Sequence, residues 1–354
     1  MIEAIHQGEF IMTIHKILFG TYTKRISKGL YEAELDTEAR QLQNPTFVAP
    51  LTNPTYLAVS KADKVYAVEN RDGQGGVVTF YNTVRPLAEI DAQLSEGSAP
   101  AYIGIDEARQ LVFAGYYHRG TVESYQIKPD GNLSLVTTWT NTGSGPRPEQ
   151  GSSHIHFANL TPDNRLVAVD LGTDEVITFD VQDDGQFTEV ARFHTEEGFG
   201  PRHIRFSPDG QYAYVLGELS SLLSVLKYNA EDGTFEHVMT ASTIPADWTA
   251  HNGSAALRIS HDGRFIYASN RGHNSIAVFK VMNEGAEIER IQLISSEGEF
   301  PRDMNWDDNQ DFLVVANQDT DNVTLFARDQ ATGELTLLQK DFAIPEGVRV
   351  AFEN

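Results

Sequence analysis

Residues 201–215 read PRHIRFSPDGQYAYV, and residues 301–315, which read PRDMNWDDNQDFLVV, align with them without a gap. Each stretch contains two short runs in which apolar and polar residues alternate, as in a strand with one buried face. In the first stretch a Pro-Asp-Gly turn at 208–210 joins the two runs, and its glycine supplies the positive φ that a tight turn needs. The two stretches therefore predict copies of one antiparallel β unit.

A second pattern recurs along the chain: a turn residue is followed by alternating apolar positions that end in an aromatic residue or leucine. Counted between the turn residues, the copies are separated by 47, 44, 54, 47, 53 and 47 residues. The copies lie at 76–80, 121–125, 175–179, 222–226, 275–279 and 322–326, with a degenerate first copy at 29–31. Seven copies at this spacing are typical of propeller blades rather than of a helical solenoid.

Further turns at 184–185, 232–233 and 332–333 precede a fourth short strand, and helical periodicity is almost absent. We therefore predict an all-β fold, a seven-bladed β-propeller of four-stranded antiparallel blades. The propeller is predicted to be a single domain over residues 14–354. Residues 1–13 are predicted to be an N-terminal extension, because a second methionine, Met12, comes just before the first strand-like segment. The sequence leaves open whether translation starts at Met1 or Met12.

Composition argues against several classes of function. The 354 residues include 50 acidic and 27 basic ones, a net charge of −23, which repels nucleic acid and anionic membranes, so neither is expected as a partner. No stretch approaches the ~18 consecutive apolar residues of a spanning helix, and the N-terminus lacks the features of a secretory signal. The absence of cysteine rules out disulfides and a cysteine nucleophile and fits a reducing compartment. We expect a soluble, cytoplasmic protein whose oligomeric state is open.

The blade pattern also predicts which polar residues share one mouth of the central channel. In an antiparallel meander the start of the first strand and the end of the second lie at the same edge. The strand-one entries are Arg202 and Arg302, the strand-two exits are Glu218, Arg271 and Gln318, and His156 lies close to the same mouth. Arginines that converge inside an acidic shell predict a pocket for an anionic ligand.

Several of these residues also have simpler interpretations. A single arginine at a blade entry is more often a clamp between blades than a ligand, although three at equivalent positions favour a binding role. The His154-Ile155-His156 run places two histidines on one face of a strand, and such a pair can bind a metal. No third ligand is placed to complete that site, so no metal is expected.

Three motifs resemble those of the lactonase-type seven-bladed propeller family. They are GPRH at 200–203, SNRGHNSI at 269–276 and VANQD at 315–319, and the resemblance extends over residues 14–326. That family contains a propeller form of 6-phosphogluconolactonase and the fungal carboxy-cis,cis-muconate lactonising enzyme. By resemblance to the lactonising enzyme, the catalytic group is expected to be His156, Glu218, Arg202 and Arg271. Arg302, His203, His154 and Gln318 are expected to bind substrate.

The resemblance implies a lactone hydrolase that acts on a small anionic sugar lactone, 6-phospho-D-glucono-1,5-lactone, in the pentose phosphate route. This chemistry requires an activated water and stabilisation of the oxyanion, and no cofactor is expected. Two other classes stay open. A cycloisomerase would use the same arginines for carboxylates, and a non-catalytic scaffold is possible because the fold alone implies no function. The arginine-rich rim and the lack of Trp-Asp repeat motifs favour an enzyme.

Overall fold

The computed structural model describes residues 13–353, and there the chain forms seven four-stranded antiparallel sheets. Blade 1 contains β1 (Ile14–Thr21), β2 (Gly29–Asp36) and β3 (Gln41–Pro50). Blade 2 contains β4 (Leu57–Val59), β5 (Lys64–Arg71), β6 (Gln74–Tyr81) and β7 (Ala88–Glu96). Blade 3 contains β8 (Tyr102–Asp106), β9 (Leu111–Tyr116), β10 (Thr121–Ile127) and β11 (Leu133–Thr140). Blade 4 contains β12 (Ile155–Leu160), β13 (Leu166–Asp170), β14 (Glu175–Val181) and β15 (Phe187–His194).

The remaining blades follow the same order. Blade 5 contains β16 (Pro201–Phe206), β17 (Tyr212–Gly217), β18 (Leu222–Asn229) and β19 (Thr234–Ser242). Blade 6 contains β20 (Gly253–Ile259), β21 (Phe265–Arg271), β22 (Ser275–Met282) and β23 (Glu287–Ser295). Blade 7 contains β24 (Pro301–Trp306), β25 (Phe312–Asn317), β26 (Asn322–Arg328) and β27 (Leu335–Ala343). The predicted fold, an all-β propeller of seven four-stranded blades, is confirmed.

The last strand, β28 (Gly347–Phe352), closes the ring by pairing with the first. It lies antiparallel to β1, with Leu18 opposite Ala351 and Phe19 opposite Val350, and becomes the innermost strand of blade 1. The innermost strands of all seven blades then contact one another in a closed circle around the channel. Joining the two ends of the chain in one blade leaves the ring without an open sheet edge between its first and last blades.

The repeated aromatic or leucine position explains how each blade acquires its shape. This residue is buried in every clear copy and lies beside a register shift where the third strand pairs with the fourth. Its occupants are Phe80, Tyr125, Phe179, Leu226, Phe279 and Phe326. A bulge increases the local twist of a strand pair, so the repeat seen in the sequence marks both a core position and the twist of the blade.

Most of the predicted N-terminal extension, residues 1–12, lies outside the described residues, as does the choice between Met1 and Met12. Of that segment only Thr13 is described, and its carbonyl accepts a 2.8 Å hydrogen bond from the Thr37 amide. Within residues 13–353, the helices are two short 3-10 turns, Pro148–Gln150 and Asn283–Gly285. In that part of the chain no helix has the length and apolar character to cross a membrane.

Candidate functional site

A cavity of about 520 Å³ opens at the end of the channel where the innermost strands begin. It contains six of the eight residues singled out from the sequence. These are His156, Arg202, His203, Glu218, Arg271 and Arg302. The rest of the wall is largely polar and comes from blades 1, 2, 3 and 7 and the loops beside them. It includes Tyr22, Asn53, Thr55, Tyr56, Asn70, Tyr117, His118 and Asp303.

Three of these side chains occupy equivalent irregularities in the strand pairing. In blade 4 the partners pass from Ile155 to Phe157 and leave out His156. The pairings of β16 and β24 leave out Arg202 and Arg302 in the same way. A bulge changes the direction of the side chain of the extra residue. These three bulges direct one imidazole and two guanidinium groups toward the same cavity.

Glu218 is the centre of the charged group. Its Oε2 lies 2.8 Å from Nε of Arg202 and its Oε1 lies 2.8 Å from Nη2 of Arg271. The Glu218 amide donates to the Gly200 carbonyl at 2.8 Å, and the Ser254 amide donates to the Glu218 carbonyl at 3.2 Å. The carboxylate is thereby held between blades 5 and 6, with its side chain 20% exposed to the cavity.

Both arginines keep an N–H free for a ligand. Arg202 uses Nη1 for the Ala255 carbonyl at 2.5 Å, and Arg271 uses Nε for the Gly253 carbonyl at 3.0 Å. Within residues 13–353 neither Nη2 of Arg202 nor Nη1 of Arg271 has a hydrogen-bond acceptor. A buried guanidinium with an unused donor is suited to bind an oxyanion.

The glycine at position 253 leaves room for this arrangement. A Cβ at Gly253 would lie 3.1 Å from Nη2 of Arg271 and 3.7 Å from Cγ of Glu218. Any other residue there would press on the ion pair between those two side chains. The innermost strand of blade 6 therefore begins with the one residue that has no side chain.

The arginines keep Glu218 ionised. Burial would raise the pKa of this carboxyl, but the Arg271 and Arg202 charges outweigh burial and lower the pKa to about 2. Burial and the neighbouring Arg271 lower the pKa of Arg202 to about 9. At neutral pH the group is therefore a carboxylate between two guanidiniums.

His156 is held as a neutral imidazole. It is 6% exposed, and burial, followed by the charge of Arg202, lowers its pKa well below the usual range. Its Nδ1 is buried with no hydrogen-bond partner in the described part of the chain. The Tyr117 ring packs edge-on against the imidazole, with 5.8 Å between ring centres. A neutral histidine facing a polar cavity can accept a proton.

His203 supports Arg202 rather than opening into the cavity as a free base. Nη1 of Arg202 lies 3.3 Å from Nε2 of His203, and because arginine can only donate, Nε2 is the unprotonated nitrogen of the ring. Burial, and then Arg202, hold the pKa of His203 well below its ordinary value. Its ring centre is 5.4 Å from that of His156.

Arg302 differs from the other two arginines in having no carboxylate partner within residues 13–353. It is partly exposed, and its guanidinium carbon lies 5.2 Å from the centre of the Tyr22 ring. An arginine over an aromatic face keeps its orientation without losing its charge. Arg302 is thus an available cation on the wall of the same cavity, from the blade beside the one that carries Arg271.

Two residues predicted to bind substrate do not line this cavity. His154 precedes β12, stacks on Tyr117 with 4.3 Å between ring centres, and places Nδ1 2.9 Å from the Tyr117 carbonyl. Both histidines of the HxH run thus pack against the Tyr117 ring, but only His156 lines the cavity. Gln318 lies at a shallow neighbouring cavity, where its amide donates to Asp319 at 2.9 Å.

Sequence reasoning missed the two tyrosines at the mouth. Tyr22 follows β1 and Tyr117 follows β9, each directly after the second strand of its blade, as Glu218 follows β17. Burial, and then Glu218, raise the pKa of Tyr117 to about 12, so its hydroxyl remains a hydrogen-bond donor. Applying the strand-two rule to blade 3 would have found Tyr117, whereas Tyr22 follows a second strand only because β28 is the innermost strand of blade 1.

No group of three or more histidine, cysteine, aspartate or glutamate side chains is placed to hold a metal within residues 13–353.

Comparison with known proteins identifies the family of this chain. Residues 16–352 match the model of the family described as lactonase, 7-bladed beta-propeller. A 6-phosphogluconolactonase from Bacillus subtilis (strain 168) is 41% identical over 338 residues, which cover 94% of this chain and 97% of that protein.

Solved structures extend the comparison. A protein from Lactobacillus plantarum is 50% identical with a TM-score of 0.95 and covers 96% of this chain and 100% of its own. The periplasmic gluconolactonase of Pseudomonas aeruginosa is 27% identical with a TM-score of 0.87, over 96% of this chain and 99% of its own. The chain therefore belongs to the seven-bladed β-propeller lactonase family.

Proposed function

We propose that this lactonase hydrolyses 6-phospho-D-glucono-1,5-lactone to 6-phosphogluconate, in the cytoplasm and within the pentose phosphate route. The observation that carries the proposal is the cavity charge. Arg202, Arg271 and Arg302 face Glu218 inside a chain whose net charge is −23. Such a site selects an anionic substrate by a local field opposite to that of the whole molecule. The Bacillus subtilis relative bears the name of this activity.

In the proposed reaction His156 acts as general base. Since Nδ1 is buried, the imidazole takes the proton of a water molecule through Nε2. The water oxygen forms a bond to C1 of the lactone, and the bond between C1 and the ring oxygen then breaks. The imidazolium returns its proton to that ring oxygen, so the histidine ends neutral.

The arginines divide between the reacting centre and the phosphate. Arg202 and Arg271 each have an unused N–H beside Glu218, and these donors stabilise the oxyanion that forms at C1. Arg302, which has no carboxylate partner in the described residues, pairs with the phosphate. Glu218 keeps the two oxyanion donors in place.

Proton release at constant pH tests the reaction. Freshly prepared 6-phosphogluconolactone should release acid faster with the protein than spontaneously, and unphosphorylated gluconolactone should be a poorer substrate. Equal acceleration of both lactones would retain the lactonase and remove the phosphate assignment. Acceleration of neither would contradict the proposal, and turnover of a muconate-type dicarboxylate without acid release would assign the cavity to a cycloisomerase.

His156→Gln tests the mechanism. Loss of a general base should lower kcat by ~10²–10⁴-fold, while the amide keeps much of the volume of the ring. In the wild type kcat/KM should stay level as the pH falls from 8 to 6.5, because the lowered pKa keeps the imidazole neutral there. His237→Gln, at an exposed histidine, is the matched control. A variant at position 156 with unchanged turnover removes the general-base assignment.

A further inference from the structure

The channel has a second cavity at the opposite end of the innermost strands. On β24, Arg302 and Asp303 line the first cavity, whereas Asn305 and Trp306, farther along the strand, line the second. Tyr56 contributes to the walls of both. The second cavity, which we call the distal cavity, has a volume of about 270 Å³, enough for a small ligand.

Three arginines line the distal cavity: Arg205, Arg258 and Arg349. Two of them share one carboxylate, since Nη2 of Arg258 lies 2.9 Å and Nη1 of Arg349 lies 2.8 Å from the oxygens of Asp303. Arg205 forms no ion pair within residues 13–353, and its Nη1 donates to the Ile204 carbonyl at 3.0 Å. Three cations are therefore balanced by one anion.

These charges lie close enough to act on one another. Burial lowers the pKa of Arg258, and although Asp303 opposes the change, the Arg205 and Arg349 charges lower the pKa further. Burial would raise the pKa of Tyr102, but the charges of Arg205 and Arg349 and hydrogen bonds from Tyr56 and Asn159 together outweigh burial and lower the pKa. The distal cavity thus has a positive potential that its own carboxylate does not cancel.

The distal cavity also offers neutral donors. The Tyr102 hydroxyl accepts a 3.2 Å hydrogen bond from the Asn159 amide, a bond that does not use its own proton. Tyr102 is 3% exposed and Arg258 is 7% exposed. Buried cations with an excess of positive charge are costly unless an anion neutralises them.

We propose that the distal cavity is a second binding site, specific for a small free oxyanion of the phosphate type, held by Arg205, Arg258 and Arg349. Guanidinium groups present paired N–H donors that match the oxygens of a tetrahedral anion. Arg205 is the residue with unused charge, and Nη2 of Arg349 has no acceptor within residues 13–353. The three nitrogens of Arg258 already donate to Asn305, Leu257 and Asp303, so this residue contributes its charge. The Tyr102 hydroxyl completes the donor set. The site does not depend on the lactonase reaction, because none of its arginines lines the first cavity.

Calorimetric titration with inorganic phosphate, in a buffer free of other oxyanions, tests this site. Arg205→Gln should weaken binding to the distal site at least tenfold, whereas Arg302→Gln should leave that binding event in place. Arg264→Gln removes an exposed arginine paired with Asp262 and controls for the loss of one positive charge. Phosphate binding that is absent, or that is lost in Arg302→Gln and retained in Arg205→Gln, overturns the proposal.

Direct localisation gives a test that needs no variant. Crystals soaked in selenate, a heavier tetrahedral oxyanion, should show an anomalous peak among Arg205, Arg258 and Arg349. A peak only at the first cavity would overturn the proposal and leave the lactonase assignment intact. Titration with 6-phosphogluconate distinguishes a free anion from a phosphate group on a sugar acid. Loss of its binding in Arg205→Gln would overturn the assignment to a free oxyanion.

Discussion

Two carboxylates in the channel each bridge two arginines, yet they differ in what surrounds them. Asp303 binds Arg258 from blade 6 and Arg349 from the closing strand β28, and its side chain is 6% exposed. It also accepts the Val350 amide at 3.1 Å. Glu218 binds Arg202 and Arg271, and its side chain is 20% exposed to the first cavity.

The difference shows how one charge pattern can serve two purposes. Asp303 links blades 6, 7 and 1 where the chain ends meet, so its contacts stabilise ring closure. Glu218 leaves an unused N–H on each of its arginines, so its contacts present donors to a ligand. Solvent access at the first cavity, not the residue types, distinguishes the structural bridge at Asp303 from the candidate reaction site at Glu218.

The largest effect is expected for Asp303→Asn. This change leaves two buried guanidiniums without their anion, and the free energy of unfolding should fall by ~3–5 kcal/mol, as when one partner is removed from a buried ion pair. Urea denaturation measures the loss. Asp262→Asn, at an exposed pair with Arg264, should cost at most ~1 kcal/mol. Equal losses in the two variants would contradict the structural role of Asp303.

Glu218→Gln should lower the catalytic rate strongly and the stability of the fold less. Without the carboxylate, Arg202 and Arg271 lose their common anchor, and kcat should fall by ~10²-fold, the cost of a misplaced oxyanion donor. The loss of unfolding free energy should be smaller than in Asp303→Asn. Steady-state kinetics and denaturation on the same preparation measure both. A variant that keeps its activity but unfolds as readily as Asp303→Asn would reverse the comparison.

The pH dependence of unfolding tests whether Glu218 is held as a carboxylate by its two arginines. The pKa of Glu218 is depressed from 4.5 to about 2, so its stabilising contribution is complete above pH 4.5 and is lost as the pH falls toward 2. Each unit of depression corresponds to ~1.4 kcal/mol. The stability difference between wild type and Glu218→Gln should therefore shrink over this window, as measured by denaturation at stepped pH. A difference that is constant with pH would contradict the depressed pKa.

The smallest effect is expected for Arg302→Gln, at the arginine that no carboxylate holds in the described structure. KM for the phosphorylated lactone should rise by roughly tenfold, equivalent to ~1.4 kcal/mol, with little change for unphosphorylated gluconolactone. Initial rates measured with both substrates give the change in KM for each of them. Arg264→Gln is the control for net charge. An equal rise for both substrates would place Arg302 outside phosphate recognition.

Much of the candidate site could be predicted because blades repeat. The alignment of 201–215 with 301–315 placed Arg202 and Arg302 at equivalent positions, and both line the first cavity. The sequence also predicted the mouth that they share, but not the bulges that direct their side chains into it, because bulges depart from strict alternation. The sequence likewise did not show that only His156 of the HxH run lines the cavity, while His154 stacks on Tyr117 and contacts its carbonyl.

Asp303 illustrates a different limit. In the sequence it stands where the aligned stretch has His203 and looks like a departure of blade 7 from the pattern. Its partners, Arg258 and Arg349, are 45 and 46 residues away along the chain. Arg349 belongs to the closing strand, which is the innermost strand of blade 1 although it comes last in the chain. A carboxylate whose partners come from two other blades cannot be assigned from its own motif.

The local patterns of this chain were sufficient for the number of blades, their strand order and the mouth at which the arginines gather. Each of these follows from periodicity and turn chemistry, which act over a few residues and repeat. The bulged side chains, the closing strand and the division of six arginines between two cavities required the folded ring. Those features arise from contacts between segments up to about 330 residues apart, whose energies depend on burial and charge that exist only after the blades meet.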